Sequence, residues 1–315
     1  MELIVIIPAY KREDCLKRAL QSLLMQTSKE FDILVVDDCS PEPLIHCLEE
    51  FSGDLNILYS CTPENGGPGV ARQLGLDWAY ENDYKYVMFM DSDDILMPNA
   101  VARLLHEIKV TDCDLISSAI WKEGEEPGLP GETIPSSNQT WMHGKIFNIK
   151  YLYDNDLRFP PMRLNEDMCF NLCAMELSDK VGYLNEVTYI FKNEANSLTR
   201  NSNFKMSMVS TDFIIGMYHT TKYLQQRNKI TRQILINIVA SYKHYQIAKV
   251  FGYITNEIDG YVKYMLQIPE VNIAINDPVW MESVQTVINP CFFYDGKVYW
   301  FKQSYIDWVE EMLAK

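Results

Sequence analysis

Short apolar runs alternate with amphipathic segments over the first third of the chain. Five nearly continuous apolar runs are typical of strands buried on both faces of a sheet, and they cover residues 3–8, 32–38, 55–60, 84–91 and 114–121. Apolar residues recur at helical spacing between them, at 14–26, 67–83 and 98–110. Asp14 suits the N-cap of the first helix, and Pro98 suits the first turn of the third. This alternation predicts an α/β fold with a mostly parallel, doubly wound sheet.

The rest of the chain has a different pattern. Residues 122–140 are rich in Gly, Pro, Ser and Glu and predict an exposed loop. Further helices are indicated at 204–226, 231–253, 257–267 and 303–315. We therefore predict an α/β domain at 1–204, followed by a smaller, mainly helical domain at 205–315.

Polar residues follow three of the predicted strands. In open α/β sheets, ligands bind at the carboxyl ends of the strands. The residues found there are Pro8-Ala9-Tyr10, Asp37-Asp38 and Asp91-Ser92-Asp93. We expect these three clusters to line one edge of the sheet, although they lie far apart in sequence.

The third cluster is strongly acidic, because Asp91, Asp93 and Asp94 fall within four positions. Carboxylate oxygens are suited to Mg²⁺ or Mn²⁺, and Mg²⁺ usually shares its coordination shell with substrate phosphates. Asp91 and Asp93 therefore predict a divalent-metal site for a phosphorylated ligand. A solvated turn before a helix is the alternative interpretation of the same residues.

Other residues at this edge favour a nucleotide. Tyr10 can stack on a planar base, and Arg72 offers a fork of donors to a base carbonyl or a phosphate. Together with Asp38 and the metal pair, they describe a pocket for a nucleoside diphosphate. The glycines of NGGPG (65–69) fit a tight helix-opening turn more simply than a phosphate cradle. Neither GxGxxG nor GxxxxGK[ST] occurs, which excludes the NAD and P-loop motifs.

Composition limits the partners and the compartment. The chain has 315 residues, 47% of them hydrophobic, and a formal net charge of -15, which disfavours binding to a polyanion such as DNA. No apolar run approaches the ~20 residues of a membrane-spanning helix, so we expect no integral membrane segment. The start of the chain lacks the features of a secretory signal, and the eight cysteines are scattered. We therefore expect a cytoplasmic protein with reduced cysteines.

Five motifs occur in the order seen in one enzyme family. They are VIIPAYKREDCLKRALQSLLMQT, ILVVDDCSPE, NGGPGVARQLGLDWA, YVMFMDSDDILMP and RLNEDMCFN. Over roughly residues 1–200 the chain resembles family-2 inverting glycosyltransferases of the GT-A fold. The resemblance implies that Pro8, Ala9, Tyr10 and Asp38 hold the base of a nucleotide sugar, with help from Arg72. It also implies that the segment Asp91-Ser92-Asp93 holds Mn²⁺ or Mg²⁺ on the diphosphate.

The same resemblance points to a catalytic base. The pair Glu166-Asp167 matches the family's Glu-Asp at the head of a helix, and Asp167 would take the proton of the acceptor hydroxyl. Simple capping of that helix is the alternative. A loosely matched later loop suggests that Lys192, Ser197 and Arg200 touch the diphosphate. His143 can complete the metal shell or meet the acceptor, although a lone histidine is more often structural.

These features predict a metal-dependent inverting glycosyltransferase that moves single sugars. The resemblance favours a UDP-sugar donor, and the missing Gln-x-x-Arg-Trp motif and membrane helices favour a soluble, non-processive enzyme. A nucleotidyl- or phosphoryl-transfer enzyme and a non-catalytic sugar-nucleotide-binding protein are the alternatives. The acceptor stays open among a glycan, a lipid-linked sugar, a protein and a modified DNA base. Residues 222–233 are the most basic stretch, and the C-terminal helices are candidates for homo-oligomer contacts.

Overall fold

The chain forms two compact units, Met1–Ser197 and Leu198–Lys315. The computed structural model describes residues 1–124, 129–194, 206–285, 287–288, 291–294, 297–301 and 303–314. The domain boundary predicted at residue 204 lies outside these described residues.

The first unit alternates strands and helices. Its elements are β1 (Leu3–Ala9), α1 (Glu13–Leu24), β2 (Asp32–Asp37), β3 (Ile57–Cys61), α2 (Pro68–Glu81), β4 (Tyr86–Phe89), β5 (Ile95–Leu96), α3 (Ala100–Thr111), β6 (Leu115–Lys122), β7 (Glu132–Ile134), β8 (Lys145–Asn148), α4 (Ile149–Asp154), α5 (Glu166–Leu177) and β9 (Val181–Phe191). A short 3-10 helix follows β2 at Leu44–Leu48. All five predicted strands and all three predicted helices of this region are present.

One nine-stranded sheet organises this unit. Its strand order is β3-β2-β1-β4-β8-β6-β9-β5, and β7 pairs with β6. β1 pairs in parallel with β2 and β4, β2 with β3, and β6 with β9. β8 lies between two sets of parallel strands, β3-β2-β1-β4 and β6-β9. It is antiparallel to both of its neighbours, β4 and β6. The first residue of β8 therefore lies at the edge where the parallel strands end.

Apolar burial explains why these segments form the elements they do. Every residue of β1 is buried, as expected of a central strand covered on both faces. In α1, the buried apolar residues Leu16, Ala19, Leu20 and Leu23 form the predicted helical face. The start of α1 was predicted wrongly: Arg12, with φ of 57°, occupies the N-cap, and Asp14 lies inside the first turn. Likewise α3 begins at Ala100, so that Pro98 precedes the helix.

The second unit is mainly helical. It contains α6 (Met206–Gln225), α7 (Arg232–Val250), α8 (Asn256–Leu266), α9 (Pro269–Ile275), α10 (Pro278–Ser283), β10 (Cys291–Tyr294), β11 (Lys297–Trp300) and α11 (Tyr305–Ala314). The antiparallel hairpin of β10 and β11 was not predicted. Across the described parts of both units, none of the helices has the length and apolarity that crossing a bilayer requires.

Candidate functional site

Arg72 lies at the centre of a buried group of charged side chains. Its side chain is 3% exposed, with Nη1 donating to Oε1 of Glu166 and Nη2 to Oδ1 of Asp91, both at 2.6 Å. Burial alone would lower the pKa of Arg72, but Asp91, Glu166 and Asp167 outweigh it and raise that pKa. Arg72 is therefore the cation that joins two predicted site carboxylates, which lie 19 and 94 residues away in sequence.

Asp91 follows β4 and is held by a second partner, His143. Its Oδ2 lies 3.0 Å from Nε2 of His143, which is itself 4% exposed. Burial raises the pKa of Asp91, but Arg72 and His143 overcome this effect and hold the pKa well below its usual range. The pKa of His143 is raised, because the attraction of Asp91 exceeds the effect of burial. His143 therefore orients Asp91, whereas the sequence suggested a metal ligand, an acceptor contact or a structural residue.

Asp93 has a separate partner. Its Oδ2 lies 2.7 Å from Nη1 of Arg12, while Nη2 of Arg18 donates to its backbone carbonyl at 2.8 Å. Burial raises the pKa of Asp93, and the neighbouring Asp91 raises it further. Sequence reasoning missed Arg12, although a basic Lys-Arg pair directly after the first strand was a visible signal. A cation at Asp91 and Asp93 would relieve the repulsion between these two carboxylates.

Asp94 anchors the acidic turn to β9. It is 1% exposed and accepts hydrogen bonds from the Tyr189 hydroxyl at 2.6 Å and the Lys192 backbone N–H at 2.8 Å. Burial raises the pKa of Asp94 to about 8. Ligand-type atoms of Asp91, Asp94 and His143 all lie within 4.8 Å of one another. Asp94 is buried, whereas Asp91 and Asp93 are partly exposed, and these two stay the predicted metal pair.

The ends of β1 and β2 place the predicted base-binding residues side by side. Pro8 and Ala9 are buried within β1, whereas Tyr10 is 39% exposed, with the Lys11 ammonium 4.9 Å from its ring centre. Asp38 is buried, and its carboxylate accepts hydrogen bonds from Thr62 and from two backbone N–H groups of the glycine loop. Asp38 thus holds the loop that opens α2, and three of its roughly four acceptor positions are used. Its role in binding a base stays a prediction.

Glu166 and Asp167 form the first turn of α5. Asn165 occupies the N-cap with φ of 62°, and its side chain makes no capping hydrogen bond. Burial raises the pKa of Glu166 to about 7, and the adjacent Asp167 adds to that shift. Asp167 is half-buried, whereas Glu166 is 3% exposed. The two carboxylates therefore differ: Glu166 belongs to the Arg72 group, and Asp167 is the one with access to solvent.

The other residues predicted for the site are Ser92, Lys192, Ser197 and Arg200. Ser92 lies half-buried in the turn between Asp91 and Asp93. The Lys192 ammonium pairs with Glu123 rather than with the acidic turn. Ser197 and Arg200 lie outside the described residues.

The comparisons with known proteins identify the family. The family model described as "Glycosyl transferase family 2" matches residues 4–167, which is more than half of the chain. The protein belongs to this family. The match covers the ends of β1, β2 and β4, whose following residues form the edge described above, together with Arg72, Glu166 and Asp167.

The chain is also similar in sequence to individual curated relatives. The chain is 29% identical over 209 residues to poly(ribitol-phosphate) beta-N-acetylglucosaminyltransferase TarS of Staphylococcus aureus, covering 61% of this chain and 35% of the relative. It is 30% identical over 220 residues to glycosyltransferase GlyA of Streptococcus pneumoniae, covering 62% and 31%. The chain thus spans about a third of the length of these relatives.

The fold likeness extends to both units. The structure of S. aureus TarS 1-349 in complex with UDP-GlcNAc has a TM-score of 0.56 at 19% identity, covering 96% of this chain and 100% of that one. Mannosyltransferase PcManGT from Pyrobaculum calidifontis, in complex with GDP-Man and Mn²⁺, has a TM-score of 0.54 at 13% identity, covering 91% and 84%. These likenesses confirm the predicted GT-A fold.

Proposed function

We propose that this protein is a metal-dependent inverting glycosyltransferase that moves one sugar from a UDP-sugar to an acceptor hydroxyl. The observation that carries the proposal is the Arg72 bridge. It draws Asp91, at the proposed diphosphate site, and Glu166, next to the proposed base Asp167, onto one guanidinium. Donor-side and base-side carboxylates thereby lie at one edge of the sheet.

The donor is assigned from the edge residues and the relatives. Tyr10 presents an exposed ring next to the β2 end that carries Asp38, which suits a base, and the acidic turn follows β4, the strand that pairs with β1 on its other side. A TarS structure contains UDP-GlcNAc, which supports a uridine nucleotide. Neighbouring cations hold Asp91 ionised, as a ligand for a diphosphate-bound metal must be.

The proposed metal site fits a hard divalent ion. Asp91 and Asp93 offer carboxylate oxygens, and their side chains are 26% and 20% exposed. Such oxygens suit Mg²⁺ or Mn²⁺, and Mn²⁺ is present with the donor in the PcManGT structure. When bound, the ion would neutralise charge on the departing nucleoside diphosphate.

The protein's own residues carry the other steps. Asp167 takes the proton of the acceptor hydroxyl as its oxygen attacks the anomeric carbon, and the bond to the diphosphate breaks. Arg72 fixes Asp91 and Glu166, and His143 fixes the second oxygen of Asp91. A single displacement of this kind inverts the anomeric configuration and needs no protein nucleophile.

A donor screen tests the reaction class. The purified protein is incubated with a panel of nucleotide sugars and Mn²⁺, and the released nucleotide and phosphate products are separated. We expect free UDP from at least one UDP-sugar, with no sugar 1-phosphate. Release of sugar 1-phosphate, with UMP transferred, would instead establish nucleotidyl transfer, and thermal stabilisation by the donor without any turnover would favour a binding protein.

The variant Asp93→Asn tests the proposed metal site in a second experiment. Calorimetric titration with the active UDP-sugar should show Mn²⁺-dependent binding in the wild type and its loss in the variant. Asp54→Asn is the matched control, because Asp54 is an exposed loop residue outside the edge. Equal Mn²⁺-dependent affinity in the wild type and Asp93→Asn would remove Asp93 from the metal site.

A further inference from the structure

Three side chains of metal-binding type meet in the first unit, outside the group around Arg72. They are Glu13, the first residue of α1, and His46 and Cys47, which are neighbours on the short 3-10 helix after β2. A carboxylate oxygen, an imidazole nitrogen and the thiol sulfur of these residues all lie within 4.8 Å of one another. The proposed transfer reaction uses none of the three.

The spacing of these atoms is close to the spacing that a tetrahedral ion requires. Metal bonds of about 2.0–2.1 Å to nitrogen and oxygen, and of about 2.3 Å to sulfur, place tetrahedral ligands about 3.3–3.6 Å apart. Nε2 of His46 lies 3.3 Å from Oε2 of Glu13, so these two atoms already have that separation. The Cys47 thiol lies against the same carboxylate, and its sulfur has little distance left to close.

The surroundings leave the ligand atoms accessible. Lys17 lies 3.2 Å from Oε1 of Glu13, which is the other oxygen of that carboxylate, and Glu50 offsets part of the charge of this lysine from 3.5 Å. The side chains of Glu13 and His46 are 43% and 53% exposed, so an ion can enter from solvent. Cys47 is 1% exposed and closes the inner side. The arrangement therefore supplies three protein ligands and leaves a fourth position for water.

The types of ligand select the ion. Thiolate and imidazole groups suit Zn²⁺, whereas Mg²⁺ and Mn²⁺ prefer oxygen ligands such as those of Asp91 and Asp93. Sites with four protein ligands are usually structural, whereas a site with three keeps an open position. The residues at this site therefore differ in chemistry from the proposed diphosphate-metal pair.

We propose that Glu13, His46 and Cys47 form a second metal site, which takes Zn²⁺ and is separate from the proposed Mn²⁺ or Mg²⁺ site. Bonds form from the ion to oxygen, nitrogen and sulfur, and the thiol proton leaves to solvent. The ion links the 3-10 helix to the start of α1, directly after Arg12, whose guanidinium contacts Asp93. It stabilises this part of the fold whether or not a donor is bound, so the site does not depend on the proposed function.

The test uses Co²⁺ as a spectroscopic probe of the site. Untagged, metal-free protein is titrated with Co²⁺ and then with Zn²⁺. We expect one equivalent of Co²⁺ to give a thiolate-to-cobalt charge-transfer band, which Zn²⁺ removes and Mg²⁺ does not. Zn²⁺ without donor should also raise the melting temperature of the wild type, because it binds the folded state. A wild type without the band, or one that takes up Zn²⁺ only at millimolar concentration, overturns the proposal.

Four variants assign the band to these residues. Cys47→Ser should abolish it, and His46→Gln should weaken Co²⁺ binding at least about tenfold, since even groups that only support a ligand contribute that much. Cys61→Ser, at an exposed cysteine outside the cluster, and Asp93→Asn should both keep the band.

The same variants can contradict the assignment. A band that survives in Cys47→Ser, or one that disappears in Cys61→Ser, would place the ion on another thiol and overturn the proposal. If Cys47→Ser does not fold, His46→Gln still decides, because its side chain is exposed and its replacement should leave the fold intact. Wild-type Co²⁺ affinity in His46→Gln would show that His46 and Glu13 form an ordinary hydrogen-bonded pair.

Discussion

At the residue scale, Arg72 joins two carboxylates that come from different parts of the fold. Its guanidinium suits this arrangement, because two of its N–H groups can point to two different acceptors at once. Lysine could also donate to two acceptors, but from one nitrogen on a flexible stem rather than from two nitrogens of a rigid, planar fork. The two 2.6 Å contacts, made by separate nitrogens, therefore favour arginine at this position.

The neighbours Glu166 and Asp167 should respond differently to the same chemical change. Asp167→Asn should fold, bind donor and lose ~10²–10⁴ in turnover, because a general base is removed. Glu166→Gln should mainly lower thermal stability, since it removes one partner of a buried arginine. Transfer rates, donor affinity and melting temperature of both variants check this pair.

The pair of amide variants also tests the assignment itself. If Glu166→Gln is far slower than Asp167→Asn, the base lies one residue earlier than proposed. Wild-type rates in both would place the chemistry elsewhere. Since Asn still suits the first turn of a helix, a pure capping role predicts a nearly normal Asp167→Asn enzyme.

Sequence reasoning found some of these residues for a physical reason and missed others. Asp91 was predictable because carboxyl ends of parallel strands share one edge, and that rule depends only on the direction of the strands. Arg12 and Lys145 were not predictable in this way. Arg12 reaches Asp93 from a left-handed backbone position, and Lys145 is buried against carbonyl groups of a turn. Such contacts depend on side-chain direction, which spacing does not encode.

At the element scale, α2 approaches its neighbours through glycine. A Cβ on Gly69 would lie 2.6 Å from Cγ of Glu166, and one on Gly75 would lie 2.7 Å from Cγ2 of Ile6 in β1. Gly69 therefore lies in close contact with the proposed site, and Gly75 with the core of the sheet.

Alanine at these two glycines should separate activity from stability. Gly69→Ala must displace Glu166 and should slow transfer roughly ten- to a hundredfold, because small misplacements at an active site are costly. Gly75→Ala should destabilise the fold by about 1–3 kcal/mol through overpacking.

The control is Gly260→Ala in α8, where no atom lies within 4 Å of an added Cβ. This variant should stabilise the fold by up to about 1 kcal/mol. Melting curves and transfer rates of all three check these expectations, and a fast Gly69→Ala enzyme would contradict the first.

Element prediction succeeded where burial was uniform and failed where it was not. The strands β1 and β2 are buried along their whole length and were predicted almost to the residue. β8 has only four residues and begins with a lysine, so its pattern gave no strand signal. β9 mixes exposed and buried positions along 11 residues, without strict alternation, and was likewise missed.

At the scale of the whole molecule, buried carboxylates make stability depend on pH. The pKa of Glu166 rises from 4.5 to about 7, and that of Asp94 from 3.8 to about 8, chiefly through burial. Between the ordinary and the raised pKa values of these two carboxyl groups, the folded protein therefore binds more protons than the unfolded chain. The two groups stabilise the fold fully below their ordinary pKa values, and this stabilisation is lost as the pH rises through 7 and 8.

We therefore expect the free protein to lose about 2 kcal/mol or more of unfolding free energy between about pH 5 and about pH 8. The pKa of Lys145 is lowered to about 7, so this residue makes stability rise with pH, but only above about pH 7. The net charge of -15 also destabilises at neutral pH, but salt at about 1 M screens surface repulsion and leaves buried groups largely unaffected. Denaturant unfolding at both pH values, with and without salt, checks this. A pH dependence abolished by salt would assign the effect to surface charge.

The reversed direction of β8 makes one part of the proposed site exchangeable. The chain leaves β6 after Lys122, adds the short strand β7 to β6, and begins β8 at Lys145. The register of β8 is set independently, by pairs such as Ile116 with Ile146 and Val87 with Phe147. Substitutions at exposed positions of this connection, such as Ser137 and Thr140, should therefore leave the sheet in place. β7 and His143 are held by contacts of their own, with β6 and with Asp91, so the rim can change its surface while the carboxylates opposite it stay fixed.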